Sequence, residues 1–475
     1  MDTLCANDGK QATRIAGGSR LAVAVGVGLL LHTTVSGGQT LEDSNLQVET
    51  VVTGLSQPTT MDFLDSDDIL VLEKGTGIVQ RVQAGGFSPV LDVAVHSRSE
   101  RGLLGIAINS QIPPAVFLYY TESSTGNDTS SPGSTPLGNS IYRYDWNPIT
   151  GLLESPQLIR DLPVTPGPNH NGGILVLGPT GEGSVGDGRL LYAVIGDLNR
   201  DGQLENFPTG DEPDDTAVIL RIEQDGSAAA GNPFTPYCSV TTGMTCVDDL
   251  DCPPSERCTT EVASYFAYGV RNSFGLVLDP ETELLWDTEN GPGSYDEVNL
   301  IEPGTNSGWQ RIMGPDSRDP QGTADLFDMP GAGSTYSDPE FSWFDTVAPT
   351  AIVFPAGSAL GPDYDDVALV GDNNSGQIYA FPLNGLRNGF DFTDPSLSDL
   401  QDLVADSQSE ANLLRFGSGF GVVTDLKIGL DGALYVTSLS QGAIYRVVPE
   451  PSTTLLLMFQ SLGLAGLAAR RRRLN

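Results

Sequence analysis

A loop of carboxylates and glycines in the second half of the chain has the composition of a cation-binding site. Glu289-Asn290-Gly291-Pro292-Gly293 lies between two strand-like runs, Leu284 to Asp287 and Val298 to Ile301. Glycine and proline cannot continue a β-ladder there, so the segment is predicted to be a loop. Such a loop exposes carbonyl oxygens beside carboxylates, which are ligands that calcium prefers. A tight acidic loop without an ion is the alternative interpretation.

One histidine is placed where it could act as a base. The chain has three histidines, and an imidazole is suited to proton abstraction near neutral pH. His170 lies in a loop, Pro166 to Gly173, whose glycines let the backbone or a ligand approach closely. His32 falls in an N-terminal apolar segment, and His96 lies in a polar stretch where an exposed side chain is expected. A loop histidine without a catalytic role is the alternative for His170.

The cysteines are concentrated in one short segment. Apart from Cys5 they are Cys238, Cys246, Cys252 and Cys258. Their spacing lacks the paired Cys-X-X-Cys of a zinc site. In an exported chain this grouping predicts two disulfides that staple an insertion, residues 238–258, with the connectivity left open. A metal site is the alternative.

These residues must be positioned by a fold that repeats one supersecondary unit. Two short strands joined by a polar turn recur at 69–82, 117–146, 190–226, 284–304, 367–383 and 433–449. Several copies follow a further apolar strand, so each copy is predicted to form a four-stranded antiparallel sheet. Such a sheet cannot bury both faces alone and must stack on its neighbours. We therefore predict an all-β fold, a six-bladed β-propeller of four-stranded antiparallel sheets. A β-sandwich is the competing fold. In a propeller, loops from distant parts of the sequence converge at one end of the central channel.

The segment from Tyr268 to Trp309 resembles the glucose/sorbosone dehydrogenase family, soluble aldose dehydrogenases that use pyrroloquinoline quinone (PQQ). That family has an aromatic-Gly-X-Arg-Asn-X-X-Gly-Leu run, an Asp-Pro, a Trp, a Glu-X-Gly-Pro loop, an Asp-Glu-X-Asn-Leu-Ile and a Gly-X-Asn-X-Gly-Trp. The matching positions are Tyr268 to Leu276, Asp279-Pro280, Trp286, Glu289 to Pro292, Asp296 to Ile301 and Gly304 to Trp309. The resemblance extends over roughly residues 50–448 and implies a PQQ- and calcium-dependent oxidoreductase acting on a sugar.

The resemblance also implies the roles of individual residues. The family has a His-X-Gly-Gly and a later Gly-Asp, which match His170 to Gly173 and Gly196-Asp197. His170 would remove the proton of the sugar C1 hydroxyl while hydride passes to the quinone, and Asp197 would orient the substrate or the base. The other implied roles are cofactor binding by Arg271, Asn272 and Asn290, substrate binding by Glu100 and Asn169, and calcium binding by Gly291, Pro292, Asp296 and Glu297.

The chain departs from the family where PQQ carboxylates need cations. The family has a lysine in the fifth blade and an Arg-X-Arg before an aspartate in the last. Here these places hold Asp372-Asn373-Asn374 and Val422-Val423-Thr424-Asp425, and Lys427 is expected to face away. Burying a tricarboxylate without cations is costly. The alternative function is therefore a non-catalytic surface propeller that has lost PQQ and binds carbohydrate or matrix; a calcium-dependent lactonase is a further alternative.

Both ends of the chain have the pattern of export signals. Residues 1–39 combine basic residues, an apolar run and small residues, as in a secretory signal peptide, with a buried helix as the alternative. Residues 449–475 resemble a PEP-CTERM sorting tail, with Pro449-Glu450-Pro451, an apolar helix and Arg470 to Arg473. A plain tail anchor is the alternative. The propeller, 40–448, is expected in the periplasm, at the cell surface or outside the cell, with transient membrane association through the tail.

Charge excludes one class of partner. The chain has 24 Lys and Arg against 61 Asp and Glu, a net charge of −37. Such a field repels nucleic acid and anionic membrane surfaces. The expected partner is a small sugar, and the external electron acceptor is not indicated by the sequence.

Overall fold

The computed structural model describes residues 38–318, 322–330 and 334–451, and strands dominate these ranges. In chain order they are β1 (Thr40–Leu41), β2 (Leu46–Thr53), β3 (Pro58–Asp65), β4 (Asp68–Glu73), β5 (Ile78–Gln83), β6 (Gly86–Asp92), β7 (Leu103–Ile108), β8 (Ala115–Thr121), β9 (Asn139–Asn147), β10 (Leu152–Leu162), β11 (Leu175–Leu177), β12 (Leu191–Ile195), β13 (Val218–Ile222), β14 (Tyr265–Tyr268), β15 (Ser273–Leu278), β16 (Leu285–Glu289), β17 (Asp296–Ile301), β18 (Thr305–Asn306), β19 (Thr335–Tyr336), β20 (Phe341–Trp343), β21 (Pro349–Val353), β22 (Val367–Asp372), β23 (Ile378–Pro382), β24 (Val404–Ala405), β25 (Arg415–Ser418), β26 (Val423–Ile428), β27 (Leu434–Ser438) and β28 (Ala443–Pro449).

The helical segments of the same ranges are short turns in the connections. One is an α-helix, α1 (Gln408–Ala411), and the others are 3₁₀ turns at Gln203–Glu205, Asp249–Asp251, Thr260–Ser264, Asp316–Arg318, Thr323–Asp325, Pro362–Tyr364, Pro395–Leu400 and Asn412–Leu414. Across the described ranges, no helix is both long enough and apolar enough to span a bilayer.

The local sequence explains why these segments are strands. β8 and β12 consist almost wholly of β-branched, aromatic and aliphatic residues, which favour extended backbone, and every residue in both is buried. A strand covered on both faces shows such a continuous apolar run. β10 lies at the edge of its sheet and exposes most of its residues.

The strands form six sheets, numbered here in the chain order of β3, β7, β11, β15, β21 and β26, each of which is called the first strand of its sheet. Their strand orders are β3-β4-β5-β6 (sheet 1), β10-β9-β8-β7 (sheet 2), β11-β12-β13-β14-β18-β19 (sheet 3), β15-β16-β17-β20-β24 (sheet 4), β1-β25-β23-β22-β21 (sheet 5) and β2-β28-β27-β26 (sheet 6). The prediction of uniformly four-stranded antiparallel sheets is wrong for sheets 3, 4 and 5. Long connections return along their outer edges, where β18 joins β14 and β24 joins β20 in parallel, and the N-terminal β1 joins β25.

The sheets are arranged around a common axis. β3, β7, β11, β15, β21 and β26 contact one another in that order, and β26 returns to β3. β2, near the start of the described chain, pairs with β28, near its end, so two distant segments share sheet 6. Small sheets that each turn their first strand toward one axis form a propeller-like arrangement. The prediction of an all-β, propeller-like fold is confirmed in this form.

The core lies between neighbouring sheets. Trp286 and Trp343 of sheet 4 are fully buried, and they belong to an apolar cluster that includes Phe381 of sheet 5. The Phe341 and Phe381 rings meet across this boundary with their centroids 5.0 Å apart. Each sheet thus covers an apolar face of the next, as layers must when one sheet cannot bury both of its faces.

The cysteine-rich segment is held by two disulfides, as predicted. Cys238 is bonded to Cys252 and Cys246 to Cys258, so the alternative of a metal site is wrong. The segment connects β13 to β14 and exposes Val240, Val247 and Leu250 to solvent. It is therefore a stapled insertion at the outside of sheet 3.

The predicted signal peptide and sorting tail lie almost wholly outside the described residues, which begin at 38 and end at 451. Both stay predictions.

Candidate active site

A cavity of about 530 Å³ opens at the end of the axis where the first strand of each sheet begins. Residues at or next to those six strand starts line it: Thr59, Leu104, Gly172, Phe274, Thr350 and Thr424. Because the six strands start at the same end, loops from every sheet meet there. Residues far apart in sequence therefore share one cavity.

Most of the predicted site residues meet in this cavity. Those that line it are Glu100, Asn169, His170, Arg271, Asn272, Asn290, Gly291 and Asp296. Asp197 lies directly behind His170. Pro292 and Glu297 do not line the cavity, and Pro292 is exposed to solvent.

His170 is oriented by a buried carboxylate. Its Nδ1 lies 2.5 Å from Oδ1 of Asp197, and the other oxygen of Asp197 accepts a hydrogen bond from Trp309 Nε1 at 2.6 Å. The backbone N–H of Asn199 also donates to Asp197 Oδ1, at 2.7 Å. Asp197 is only 2% exposed. A carboxylate at Nδ1 fixes the ring and leaves Nε2 to act as the base, which is the arrangement of His–Asp pairs in general.

The loop that carries His170 depends on close backbone packing. His170 has a φ of 61°, and its N–H donates to Glu100 Oε2 at 2.5 Å. A Cβ on Gly172 would lie 2.6 Å from the Val194 carbonyl oxygen, and one on Gly196 would lie 2.6 Å from that of His170. Both glycines are required for the loop to lie against β12, and this packing sets the height of the imidazole in the cavity.

The predicted substrate residues form a polar rim beside His170. Glu100 accepts from Asn272 Nδ2 at 3.3 Å as well as from the His170 backbone. Asn169 accepts a short hydrogen bond from the Ser99 hydroxyl. Glu100 and Asn169 therefore present oxygen acceptors next to the imidazole, which is a suitable environment for sugar hydroxyls.

Arg271 brings a positive charge into the cavity, and no carboxylate of the described ranges is in salt-bridge contact with it. Its Nη1 donates to the Asn290 carbonyl at 2.5 Å, and its guanidinium lies 5.0 Å from the ring centroid of Trp309. Its Nε is buried without a hydrogen-bond partner among the described residues. Burial lowers the pKa of Arg271, against the opposing effect of the carboxylates of Asp197 and Glu289. An anionic ligand would relieve this desolvation.

The predicted metal ligands separate into two groups. Asp296 Oδ1 accepts from the Gly291 N–H at 2.8 Å, and its Oδ2 accepts from the Ala348 N–H at 2.6 Å. Burial raises the pKa of Asp296 to about 6. Glu297 follows it on β17 and so faces the other side of the sheet, because successive side chains in a strand alternate. The structure therefore does not bring Glu297 to Gly291 and Asp296; the carboxylate of Asp296 holds the loop in shape.

Glu297 belongs instead to a buried acidic cluster behind the cavity. It lies with Asp287 and Glu289, and Asn299 Nδ2 donates to both Asp287 and Glu297, at 3.1 and 3.3 Å. Burial raises the pKa of Asp287 to about 7 and that of Glu297 to about 8, and it raises that of Glu289 well above its ordinary value. Glu289 Oε1 accepts from the Arg271 N–H at 2.6 Å, so this cluster supports the backbone under Arg271.

The expected lack of cations on one side of the cavity is visible in the structure. Asn373, Val422 and Thr424 line it from sheets 5 and 6. Lys427 lines a second cavity of about 230 Å³, formed further along the same six strands. Within the described ranges, sheets 5 and 6 thus bring no cation to the first cavity.

Two residues of the site were not assigned a role from the sequence. Trp309 joins the His170–Asp197 pair to Arg271, and only its place in the family motif pointed to it. Lys74 lines the cavity from sheet 1, and the one available signal was its position at the turn of the first predicted hairpin.

The expectation for His96 is wrong. The side chain is completely buried, and its Nε2 lies 3.0 Å from the Ser134 carbonyl oxygen. The loop from 122 to 138 folds back over it, which the polar sequence around it did not indicate.

The sequence of this chain matches a family model and a known protein over most of its length. A family model described as Glucose / Sorbosone dehydrogenase matches residues 55–242 and 251–446, and its gap falls in the disulfide-stapled insertion. Quinoprotein glucose dehydrogenase B of Acinetobacter calcoaceticus is 24% identical over 434 residues, which cover 86% of this chain and 79% of that protein.

Solved structures share the fold. A putative oxidoreductase (glucose dehydrogenase) of Thermus thermophilus is 26% identical with a TM-score of 0.60, over 85% of this chain and 100% of that one. The PQQ-bound aldose sugar dehydrogenase of Streptomyces coelicolor has a TM-score of 0.58 at 23% identity, over 86% of this chain and 99% of that one. Since the family model covers well over half of its length, the chain is a member of the glucose/sorbosone dehydrogenase family.

Proposed function

We propose that the chain is an exported aldose dehydrogenase that oxidises a sugar at its C1 hydroxyl, with PQQ and calcium as cofactors. The observation that carries this proposal is the meeting of His170, fixed by Asp197, and Arg271 in one cavity. They lie in the connections that lead into β11 and β15, about 100 residues apart, so their meeting is a product of the fold. The base and the oxygen acceptors can bind and deprotonate a sugar hydroxyl, and the cation can hold an anionic cofactor that accepts the hydride.

His170 supplies the base. With Nδ1 held by Asp197, Nε2 takes the proton of the C1 hydroxyl, and the buried carboxylate stabilises the imidazolium that forms. Glu100 and Asn169 accept hydrogen bonds from neighbouring hydroxyls and so orient C1 above the imidazole. Arg271 stabilises negative charge that develops in the cavity.

PQQ, when bound, supplies the acceptor for the hydride that leaves C1. A cavity of about 530 Å³ has the size of sites that take organic cofactors, roughly 300–1,000 Å³. Arg271 Nε and Asn272 Oδ1 are buried and lack hydrogen-bond partners among the described residues, so a bound group with acceptors and donors would satisfy both. These residues fit the cofactor, and Arg271, Asn272 and Asn290 would hold it.

Calcium is proposed at the loop of Gly291 and Pro292. Loop carbonyls are oxygen donors, which suit a hard cation, and Gly291 lines the cavity. The Asp296 carboxylate fixes the loop through the Gly291 N–H. The proposed calcium ligands are therefore the backbone carbonyl oxygens of Gly291 and Pro292, and Asp296 positions them.

We propose further that the six sheets are six blades of one propeller. Their first strands form a closed series of contacts from β3 to β26 and back to β3. Export is proposed through a signal peptide at 1–39, and surface sorting with transient membrane association through the tail at 449–475. The 86% overlap with the Acinetobacter relative supports the sugar as the small-molecule partner.

The proposal is tested with the purified mature chain, PQQ, calcium and an aldose panel, by sugar-dependent reduction of a dye. We expect activity that requires both cofactors and falls by roughly two to four orders of magnitude in His170→Asn. Arg415→Met, at an exposed position of β25, is the control and should keep wild-type activity. Absence of cofactor-dependent activity in the wild type, or full activity in His170→Asn, would overturn the proposal.

One observation favours a second function. Asn373, Val422 and Thr424 form an uncharged wall, which is suited to a neutral carbohydrate as well as to a cofactor. A surface propeller that binds carbohydrate without PQQ is the second candidate. Calorimetry would then show sugar or polysaccharide binding and no binding of PQQ in calcium buffer.

A further inference from the structure

We propose that Lys74 binds a carboxylate of the quinone and takes the place of the cations that sheets 5 and 6 do not bring to the cavity. The inference rests on the proposed function and deepens it, because it assigns a cofactor-binding residue from sheet 1. Neither the family motifs nor the residues predicted from the sequence include Lys74.

The ammonium group of Lys74 is available to a ligand. Its Nζ donates to the Ser99 carbonyl at 2.6 Å and more weakly to that of Ser97 at 3.4 Å. An ammonium has three N–H donors, so at least one is left for the cavity that Lys74 lines. Within the described ranges Lys74 forms no ion pair, and Glu100, its carboxylate neighbour, already accepts from the His170 backbone.

The position of Lys74 is built into the fold. Gly102 has a φ of 142°, and a Cβ there would lie 2.3 Å from the Lys74 carbonyl oxygen and 2.8 Å from its Cγ. The Leu103 N–H donates to the same carbonyl at 3.0 Å. Only glycine at 102 leaves room for the lysine stem, which is thereby directed along the cavity wall.

Lys74 also lies in the sector where charge is needed. Its sheet adjoins sheet 6 through β3 and β26, and the Thr424 hydroxyl of sheet 6 donates to the Pro58 carbonyl of sheet 1 at 3.0 Å. Arg271 lies in the connection between β14 of sheet 3 and β15 of sheet 4. The two cations thus line one cavity from different sheets, and two separate cations suit an anion with more than one carboxylate.

The burial of Lys74 is consistent with this role. Desolvation lowers the pKa of its ammonium, and the Glu100 carboxylate opposes that effect. The carboxylate of a bound ligand would therefore offset the desolvation of the Lys74 ammonium.

The test is a direct titration of PQQ into the apo protein in calcium buffer, followed by calorimetry and by the cofactor's absorbance. Lys74→Met keeps the length of the stem and removes the charge, and we expect the affinity to fall about tenfold to a hundredfold. Lys74→Arg keeps the charge and should recover most of the loss. Arg415→Met, which removes an exposed positive charge from β25, is the matched control and should bind like the wild type.

The outcomes separate the two proposals. If wild type and Lys74→Met bind PQQ equally, Lys74 has no such role, while the proposed dehydrogenase function stands. If the wild type does not bind PQQ, both are overturned, and glucose titration of the same samples would show whether the cavity takes a neutral sugar. An equal loss in Arg415→Met would also overturn the inference, because a general charge effect would then explain the result. Thermal unfolding of each variant checks that it is folded.

Discussion

At the residue scale, Asp197 decides which nitrogen of His170 can act as a base. Its carboxylate meets Nδ1 at 2.5 Å and the Trp309 indole N–H at 2.6 Å. The proton of the neutral imidazole is therefore on Nδ1, and Nε2 carries the free electron pair. The same carboxylate lowers the cost of forming the imidazolium.

Asp197→Asn should lower kcat by roughly two to four orders of magnitude and change the KM for sugar much less. The amide cannot stabilise an imidazolium, and its N–H₂ favours the wrong tautomer. Steady-state kinetics at saturating cofactor measure the effect. Asp161→Asn, on the exposed face of β10, is the control. A wild-type kcat in Asp197→Asn would show that His170 is not a base held by Asp197.

Motifs predicted His170, Glu100 and Arg271 because each stands beside glycines or in a run with family-wide spacing. They could not predict Lys74 or the role of Trp309. The Lys74 side chain extends to the cavity because Gly102 has no side chain in its path. Trp309 donates to Asp197 only once segments more than 100 residues apart have packed together. Such contacts are properties of the closed ring rather than of any local pattern.

At the element scale, one 3₁₀ turn holds Trp309 in place. In the turn Gln203–Glu205, the Glu205 carbonyl accepts from the Gln310 N–H at 2.9 Å, and the following Asn206 donates from Nδ2 to the Trp309 carbonyl at 2.7 Å. The Glu205 side chain is 1% exposed, and burial raises its pKa to about 7. A buried carboxyl thus lies directly beneath the loop that positions the indole.

This carboxyl should make stability depend on pH. The folded-state pKa of Glu205 is raised, so the folded chain binds the proton more tightly than the unfolded chain, and the free energy of unfolding falls as pH rises from about 4.5 through about 7. Glu205→Gln lacks this dependence. Its free energy of unfolding should be about 3 kcal/mol higher than that of the wild type at about pH 8.5, and the two should be similar at about pH 4.

Denaturant unfolding of both proteins at the two pH values measures the difference. Glu281→Gln, an exposed glutamate in the turn between β15 and β16, should follow the wild type. A Glu205→Gln curve parallel to that of the wild type would contradict the assignment of this dependence to Glu205.

Hairpins were the most predictable elements. In the β4–β5 and β27–β28 segments, two apolar runs flank a turn that contains glycine. The structure pairs the two strands of each segment as antiparallel neighbours. The additional edge strands, such as β18 and β24, have two residues each, which is too short for any periodicity. Their pairing is decided by the path of long connections, so the sequence did not indicate them.

At the scale of the whole molecule, sheet 6 joins the two ends of the ring. Leu46 of β2 is paired with Pro449 of β28, and Thr53 with Ala443. Leu46 and Val52 are buried there, at 6% and 4% exposure. The ring therefore depends on a strand that belongs to the opposite end of the chain.

A chain that begins at residue 54, without β2, should have a free energy of unfolding lower by at least about 3 kcal/mol, because the burial of Leu46 and Val52 is lost. A chain that begins at residue 42 loses only β1, a two-residue edge strand, and should change much less. Calorimetric melting of the two truncated proteins distinguishes these cases. Equal melting temperatures would mean that β2 is not needed to close the ring.

The pairing of β2 with β28 sets an order of events during biogenesis. A ribosome or a secretion channel releases residue 46 long before residue 443, so β2 exists without its partner while five sheets are completed behind it. Joining strands so distant along the chain is slow, since the connecting segment must first become ordered. For a chain that crosses a membrane unfolded, the last sheet is then completed on the far side, after β28 has passed.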